Sequence, residues 1–257
     1  MEIQVSLNNG VCELRLNRPS VFNSFNQKMA FELQKALDEA ELNDEVRAIV
    51  ITGEGKAFCA GQDLAEAMDP EGPELQSIVK DHYNPIIERI RAIEKPIIAA
   101  VNGVAAGAGA NIALACDITI AKKSASFIQA FSKIGLIPDS GGTFFLPRII
   151  GMQKALALMM TGDKVSAEEA EKMNMIYKAV DDETFEQEVQ GFALKMAKMP
   201  TRGFGLTKKA LNLSMNNTLT EQLAVEENLQ TEAGQTYDFR EGVNAFLEKR
   251  QPEFKGK

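Results

Sequence analysis

The chain has 257 residues, which is enough for one large domain or for one domain with a helical extension. Its formal net charge of −8 and its pI near 5.0 argue against a phosphate-binding surface over the whole molecule, so we expect no nucleic-acid partner. A local basic pocket remains compatible with this charge. The segment from Lys249 to Lys257 is one candidate for it, or is simply a solvated charged tail.

The cysteine pattern and the apolar runs exclude further classes of protein. Cys12, Cys59 and Cys116 form no CxxC pair and have no nearby histidine, so neither a zinc site nor a disulfide framework is predicted. The first residues lack the pattern of a signal peptide, and no apolar run reaches the length of a membrane span. We therefore expect a cytoplasmic protein with no metal and no membrane partner.

Strands and helices alternate over the first two-thirds of the chain. Residues 2–7 and 11–16 predict a hairpin, and apolar residues at helical spacing predict a helix from Asn26 to Leu42. Further strands are predicted at residues 46–52, 97–101, 117–121 and 126–128, with loop at 53–73 and a helix at 74–93. After Gly151 the predicted helices are 151–161, 167–173, 184–198, 202–215, 219–233 and 237–248, with a short strand near 176–180. This order predicts an α/β core with a helical C-terminal region.

A glycine-containing loop, residues 57–64, follows the predicted strand 46–52. Ligand sites in α/β proteins favour such strand ends, and Gly61 permits a close approach of the backbone to a ligand. Alternatively, the segment is an ordinary turn in which Asp63 caps a helix. The residues alone leave both interpretations open.

A second segment, residues 102–111, is rich in glycine and alanine and runs from a strand into a helix. Unpaired N–H groups at a helix start can hold an anion or an oxygen on which charge develops. Small residues are equally required where a helix packs closely on a strand. The pattern favours neither explanation over the other.

Two titratable side chains are candidates for chemistry. Asp139 follows an apolar run and Pro138, where it caps the next helix or lies against an apolar wall that raises its pKa. His82 is the single histidine, so any histidine-based triad would depend on it. No partner motif surrounds His82, which favours a surface or pocket-rim residue over a catalytic base.

The three segments occur together, in the order and at the spacing of a known family. The sequences Leu16-Asn17-Arg18-Pro19, Phe58-Cys59-Ala60-Gly61-Gln62-Asp63-Leu64 and Asn102-Gly103-Val104-Ala105-Ala106-Gly107-Ala108-Gly109 resemble motifs of the crotonase (enoyl-CoA hydratase/isomerase) superfamily. The resemblance continues to the segment 241–250 and covers nearly the whole chain. It implies a crotonase-type α/β spiral of β-β-α turns, residues 1–198, and a C-terminal helical region, residues 199–257, used in trimerisation.

The resemblance also implies a site for an acyl-CoA thioester. Ala60 and Ala108 match positions whose N–H groups form the oxyanion hole, and Ala60-Gly61-Gln62-Asp63 matches the stretch along which coenzyme A runs. Lys249 matches a lysine that approaches the nucleotide phosphates from a neighbouring subunit, and Asp139 matches the acid/base of the isomerase branch. The expected assembly is a homotrimer or a dimer of trimers. No metal, nicotinamide or flavin cofactor is expected, because coenzyme A enters with the substrate.

Departures from the hydratase branch refine the expected activity. The two glutamates that activate water in hydratases correspond to Asn111 and Phe131, neither of which is a carboxylate. The sequence around Asp139 resembles instead an isomerase branch that converts ring-epoxidised phenylacetyl-CoA to an oxepin. The alternatives are Δ3-to-Δ2 enoyl-CoA isomerisation, then hydration, then a non-catalytic acyl-CoA-binding or RNA-binding relative. Residues 68–90 are expected to supply pocket walls, where His82 and Tyr83 are candidates for substrate contact.

Overall fold

Ten strands form two sheets in the computed structural model, which describes residues 1–257. The strands are β1 Ile3–Asn8, β2 Val11–Leu16, β3 Ala48–Gly53, β4 Ala57–Cys59, β5 Ile97–Val101, β6 Val104–Ala106, β7 Ile118–Lys122, β8 Ser126–Ile128, β9 Lys164–Ser166 and β10 Lys178–Val180. The six-stranded sheet has the order β1-β2-β3-β5-β7-β10, and the four-stranded sheet has the order β4-β6-β8-β9. All neighbours are parallel except the pairs β1–β2 and β8–β9.

Helices cover the sheets and make up the last part of the chain. They are α1 Gln27–Leu42, α2 Leu64–Ala67, α3 Leu75–Ser77, α4 Asn84–Ala92, α5 Ala108–Ala115, α6 Gly142–Ile150, α7 Met152–Thr161, α8 Ala167–Lys172, α9 Phe185–Ala197, α10 Thr201–Ser214, α11 Leu219–Ala233 and α12 Tyr237–Glu248. A π-helical segment, Ile78–Tyr83, joins α3 to α4, and short 3-10 turns lie at Pro19–Val21 and Ala130–Ile134. None of the helices combines the length and apolar character needed to span a lipid bilayer.

Burial explains why the central strands form where they do. Every residue of β3 and of β5 is buried, as expected for parallel strands that are covered on both faces. Helix α1 buries its apolar face, including Met29, Leu33 and Leu37, and its N-cap Asn26 accepts a hydrogen bond from the N–H of Met29. The predicted hairpin and the predicted helix from Asn26 to Leu42 are therefore confirmed, with Asn26 as the cap.

Two predicted elements are wrong in detail. Residues 53–73 are not all loop, because β4 pairs with β6 and Asp63 starts the short helix α2. The single helix predicted at 74–93 is divided by the π-helical segment, and Pro85 lies just after it in the first turn of α4. Because proline has no N–H to donate, the regular helical hydrogen bonds cannot run through Pro85.

Polar contacts join the start of the C-terminal helical region to the residue before β3, and fix the last residues of the chain against α12. Arg47, which precedes β3, donates to Oγ1 of Thr201 at 2.5 Å and to the carbonyl oxygen of Met199 at 2.8 Å. Asp238 on α12 accepts hydrogen bonds from the N–H groups of Lys255 and Gly256. Helix α11 has no buried residue in the single chain. The domain boundary at residue 198 and the role of this region in trimerisation stay predictions.

Candidate functional site

The loop after β4 is held by main-chain hydrogen bonds to residues 22–25. The N–H of Ala60 donates to the carbonyl oxygen of Phe22 at 3.0 Å, the N–H of Phe25 donates to Gly61 at 2.7 Å, and the N–H of Asp63 donates to Phe25 at 2.8 Å. Ala60 was predicted as an oxyanion-hole donor. That prediction is wrong for this structure, because the N–H of Ala60 is already used inside the protein.

The free N–H group in this loop belongs to Gln62. The carbonyl of Gly61 and the N–H of Asp63 both face Phe25, so the main-chain groups of the intervening Gln62 face the other side of this extended segment. The N–H of Gln62 has no acceptor within the protein. The sequence pattern gave no reason to prefer Ala60 over Gln62, because the choice depends on the pairing with residues 22–25.

Asp63 has a structural role that the sequence had offered as an alternative. Its carboxylate accepts from the N–H of Ala65 at 3.1 Å and so caps α2. It also accepts from Nη2 of Arg18 at 2.9 Å, while Nη1 of Arg18 donates to the carbonyl oxygen of Ser24. The Leu16-Asn17-Arg18-Pro19 motif therefore helps to fix the loop at residues 60–63. Contact of Gln62 and Asp63 with coenzyme A stays a prediction.

Gly61 brings this loop against the start of α5. Its φ is +95°, and a Cβ placed there would lie 3.0 Å from the carbonyl oxygen of Ala106 and 3.6 Å from the nitrogen of Ala108. Helix α5 begins at Ala108, so the N–H of Ala108 has no acceptor inside the helix. The structure thus brings Gly61 and Ala108 together and confirms the close packing, while the binding of an oxyanion at the segment 102–111 stays a prediction. The helix packs closely and also presents free N–H groups.

Phe131 closes one side of this helix start. The Phe131 side chain is 6% exposed, and its Cζ would be 3.8 Å from a Cβ placed on Gly107. Gly107 has a φ of +53° and is the residue before Ala108. The position that the resemblance linked to a water-activating glutamate is therefore occupied by an aromatic ring packed beside the helix N-terminus.

Asp139 lies in the turn before α6 and is half-buried. Burial raises the pKa of its carboxyl group, and the Ser140 hydroxyl, which donates to Oδ1 at 2.8 Å, opposes that shift. The alternative that Asp139 caps α6 is wrong. The N-cap position is held by Gly141, with no side-chain hydrogen bond to the helix. The Asp139 side chain therefore makes no capping hydrogen bond, and its role in proton transfer stays a prediction.

The amide side chains of Asn111 and Gln129 form a hydrogen-bonded pair beside the main chain of Asp139, which was not predicted. Asn111 is fully buried and donates from Nδ2 to the main-chain carbonyl oxygen of Asp139 at 2.8 Å. Its Oδ1 accepts from Nε2 of Gln129 at 2.8 Å. Gln129 stands in no motif, so the sequence carries no signal for this contact. Asn111 was singled out only as the replacement of a glutamate.

Tyr83 and His82 belong to the π-helical segment and are both buried, so the prediction of a surface or rim position for His82 is wrong. The Tyr83 hydroxyl donates to Oε1 of Gln62 at 2.8 Å, and burial raises its pKa, with the charges of Asp139 and Glu66 adding to the shift. The His82 ring packs edge-on against Phe31, and burial lowers its pKa. Tyr83 therefore contacts the candidate site by its hydrogen bond to Gln62. His82 is instead a core residue whose ring packs from the π-helical segment against α1.

The remaining predicted residue, Lys249, lies on a different element. It forms the exposed C-cap of α12, with a φ of +55°. The C-terminal helices also line two large cavities, of about 600 and 850 Å³, neither of which is lined by Asp139 or Ala108. No group of three or more His, Cys, Asp or Glu side chains is arranged to hold a metal ion. The approach of Lys249 to a neighbouring subunit's site stays a prediction.

Comparison with known proteins supports the family resemblance over the whole chain. Residues 6–257 match the family model described as enoyl-CoA hydratase/isomerase. The chain is 49% identical to 1,2-epoxyphenylacetyl-CoA isomerase of Escherichia coli K12, over 96% of each chain. It is 38% identical to trans-2-decenoyl-[acyl-carrier-protein] isomerase of Streptococcus mutans, over 100% of this chain and 98% of the relative. Among solved structures, enoyl-CoA hydratase from Bacillus anthracis superposes with a TM-score of 0.93 at 33% identity, with 100% of each chain covered.

Proposed function

Because this chain belongs to the enoyl-CoA hydratase/isomerase family, we propose that it is an acyl-CoA isomerase that converts ring-epoxidised phenylacetyl-CoA to oxepin-CoA. The observation that carries this proposal is the half-buried Asp139 carboxyl with its raised pKa, in a site where Asn111 and Phe131 replace water-activating carboxylates. The similarity to a 1,2-epoxyphenylacetyl-CoA isomerase supports the choice of substrate.

The proposed oxyanion hole consists of the N–H groups of Gln62 and Ala108. Both lack an acceptor in their own segment, and Gly61 brings the two segments into contact. Each donor of this kind stabilises developing negative charge by typically about 2.7–4 kcal/mol, which corresponds to roughly 10²–10³ in rate. The thioester oxygen would receive both hydrogen bonds as the enolate forms.

Asp139 would then move one proton between two carbon atoms of the substrate. The C–C bond between the two epoxide carbons first breaks in an electrocyclic opening, which gives the seven-membered oxepin ring. The carboxylate then takes the proton from the carbon next to the thioester, and the carboxylic acid returns it to a ring carbon, so the substrate neither gains nor loses an atom. A raised pKa suits this double task, because it makes the carboxylate a stronger base than an ordinary aspartate. The proposed reaction requires no metal, nicotinamide or flavin.

The direct test is to supply the purified protein with ring-epoxidised phenylacetyl-CoA and to separate the products by chromatography with ultraviolet and NMR detection. Formation of oxepin-CoA that depends on the enzyme supports the proposal. Recovery of unchanged epoxide, or only its spontaneous breakdown products, would refute it.

Double-bond migration is the second candidate, and the similarity to a trans-2-decenoyl-[acyl-carrier-protein] isomerase favours it. The same two N–H groups and the same carboxylate would serve a Δ3-to-Δ2 shift, because that reaction also proceeds through a stabilised enolate. A Δ3-enoyl-CoA supplied in the same assay separates the candidates, since conjugation of the thioester changes its ultraviolet absorbance.

Hydration of crotonyl-CoA is expected to be negligible. The Asn111 side chain is engaged with Asp139 and Gln129, and the Phe131 ring offers water no acceptor. The rate is measured by loss of enoyl-thioester absorbance, with an authentic hydratase as positive control. A turnover comparable to that hydratase would show that another group activates water.

We further propose that the chain assembles as a homotrimer or a dimer of trimers through its C-terminal helices. The side chains of Phe246 and Leu247 on α12 are 82% and 72% exposed, and α11 buries nothing in the single chain. Light scattering is expected to give a multiple of three times the 28.1 kDa monomer. Phe246→Ser should weaken the assembly, whereas Leu42→Ser, at an equally exposed position on α1, should not. A monomer at micromolar concentration would contradict the proposal.

A further inference from the structure

We infer that Asn111 is a positioning residue for Asp139, which it holds through the main chain and not through the carboxylate. The inference rests on the proposed role of Asp139 as the acid/base. Asn111 lies one turn into α5 after Ala108 and has 0% exposure, so it does not reach substrate. Its Nδ2 donates instead to the main-chain carbonyl oxygen of Asp139, at 2.8 Å.

The carbonyl oxygen of Asp139 is held by two donors at once. One is Nδ2 of Asn111 and the other is the N–H of Gly142, each at 2.8 Å. A carbonyl oxygen has two lone pairs, so both are used. The carboxylate itself is contacted by the Ser140 hydroxyl, on the adjacent residue, and by the N–H of Asp139, so both contacts come from its own turn. The position of the carboxylate therefore depends on how firmly the main chain at Asp139 is fixed.

The Asp139 carbonyl oxygen can only accept and so sets which way the Asn111 amide faces, and Gln129 supports that orientation from the other side. Its Nε2 donates to Oδ1 of Asn111 at 2.8 Å, and its side chain is 2% exposed. With Oδ1 engaged by a donor, Nδ2 must face the carbonyl oxygen of Asp139, which can only accept. Gln129 thus influences Asp139 indirectly, through two hydrogen bonds in series, and does not itself take part in the proposed reaction. Its own Oε1 is buried without a partner, so the side chain is held by its contact with Asn111.

The Asn111 amide lies directly against Gly142, where there is no room for a side chain. A Cβ placed on Gly142 would lie only 2.3 Å from Nδ2 of Asn111. The amide is therefore wedged against the first turn of α6, directly after the turn that carries Asp139. Any change in the shape or hydrogen bonding of Asn111 must move that turn, and a displacement of about 1 Å in a catalytic group can cost roughly 10²-fold in rate.

Two substitutions at Asn111 test the inference in the isomerase assay. Asn111→Leu keeps the size but removes the donor, and Asn111→Asp places an acceptor against the Asp139 carbonyl. We expect kcat to fall about 10–100-fold in both, with KM for the thioester within about threefold of wild type. The acidic limb of the kcat–pH profile should move to higher pH in Asn111→Asp only, since a new negative charge disfavours ionisation of Asp139. A folded Asn111→Leu enzyme with kcat within threefold of wild type would overturn the inference.

Substitution of Gln129 provides an independent arm that leaves Asn111 intact. In Gln129→Glu the new carboxyl group can only accept once it is ionised, so at alkaline pH the Asn111 amide must turn and present Oδ1 to the Asp139 carbonyl. We expect a tenfold or larger loss of kcat. Gln129→Met does not force the Asn111 amide to turn. The decrease in log kcat for Gln129→Met should therefore be less than half of the decrease for Gln129→Glu. Equal activities of Gln129→Glu and wild type throughout the pH profile, up to its alkaline end, would overturn the inference even if the Asn111 variants do not fold.

Asp139→Asn in the same assay separates the inference from the proposed function on which it rests. If Asp139→Asn is inactive and Asn111→Leu behaves as wild type, only the positioning role fails. If Asp139→Asn remains active, the proposed acid/base fails and the positioning role falls with it.

Discussion

The Asp139→Asn protein is expected to fold, to bind the coenzyme A thioester and to lose about 10²–10⁴-fold in kcat for isomerisation. An amide cannot accept the proton at neutral pH, so the loss should equal the usual contribution of a general base. The proposed oxyanion donors, Gln62 and Ala108, are unchanged, so thioester affinity should be preserved. Steady-state kinetics give kcat, and calorimetric titration with a non-reactive acyl-CoA gives the affinity.

The same substitution should not destabilise the fold. Because burial raises the folded-state pKa of Asp139, the folded protein binds the proton more tightly than the unfolded chain does. The contribution of this group to stability is therefore largest at acidic pH, and it is lost as the pH rises through the folded-state pKa. At neutral pH the buried carboxylate is a net cost. Asp139→Asn is expected to unfold at an equal or higher temperature than wild type at pH 7, with the difference shrinking toward pH 4.

A matched control for both measurements is Asp163→Asn, because Asp163 is exposed and makes no side-chain contact with the candidate site. It should match wild type in kcat and in unfolding temperature. The acid/base assignment would be abandoned if a folded Asp139→Asn enzyme kept more than about a tenth of wild-type turnover, a result that a factor of 10²–10⁴ does not allow. Tyr83, whose hydroxyl donates a hydrogen bond to Gln62, would then be the next candidate for the acid/base.

Features encoded within one stretch of chain were predictable. The hairpin β1–β2, helix α1 with its Asn26 cap, and helices α11 and α12 follow local rules of periodicity, capping and turn residues. Free N–H groups at the start of the helix in segment 102–111 are also a local feature, whereas their assignment to Ala108 came from the family resemblance. Reading these features needed no knowledge of the rest of the fold.

Features that depend on contacts between distant segments were not predictable in the same way. Which N–H of the 60–63 loop stays free is decided by its pairing with residues 22–25, and this is why Ala60 was the wrong choice. The Gln129–Asn111–Asp139 chain of hydrogen bonds joins three segments whose sequences give no sign of one another. Burial of His82 likewise depends on packing against α1. In each case the deciding contact is made with a segment that is distant in the sequence.

Removal of the N–H of Ala108 is the second change with a large expected effect. Ala108 is the first residue of α5, where proline is compatible with the helix because the N–H has no helical acceptor. The preceding Gly107 has no Cβ, which removes one of the clashes that usually restrict the residue before proline. Ala108→Pro should therefore fold while lacking one proposed oxyanion donor.

The expected result for Ala108→Pro is a fall in kcat/KM of at least about 10²–10³, the loss typical of a missing oxyanion donor. The proline ring would also occupy space next to the proposed thioester oxygen, so the effect should exceed that of a donor alone and should appear in KM as well as in kcat. Leu219→Pro, at the same first position of α11 and 75% exposed, is the matched control and should retain catalysis. Circular dichroism and unfolding temperature establish that both variants fold. A folded Ala108→Pro enzyme with kcat/KM within tenfold of wild type would mean that the thioester oxygen is not bound at the start of α5, and the oxyanion hole would have to be sought elsewhere.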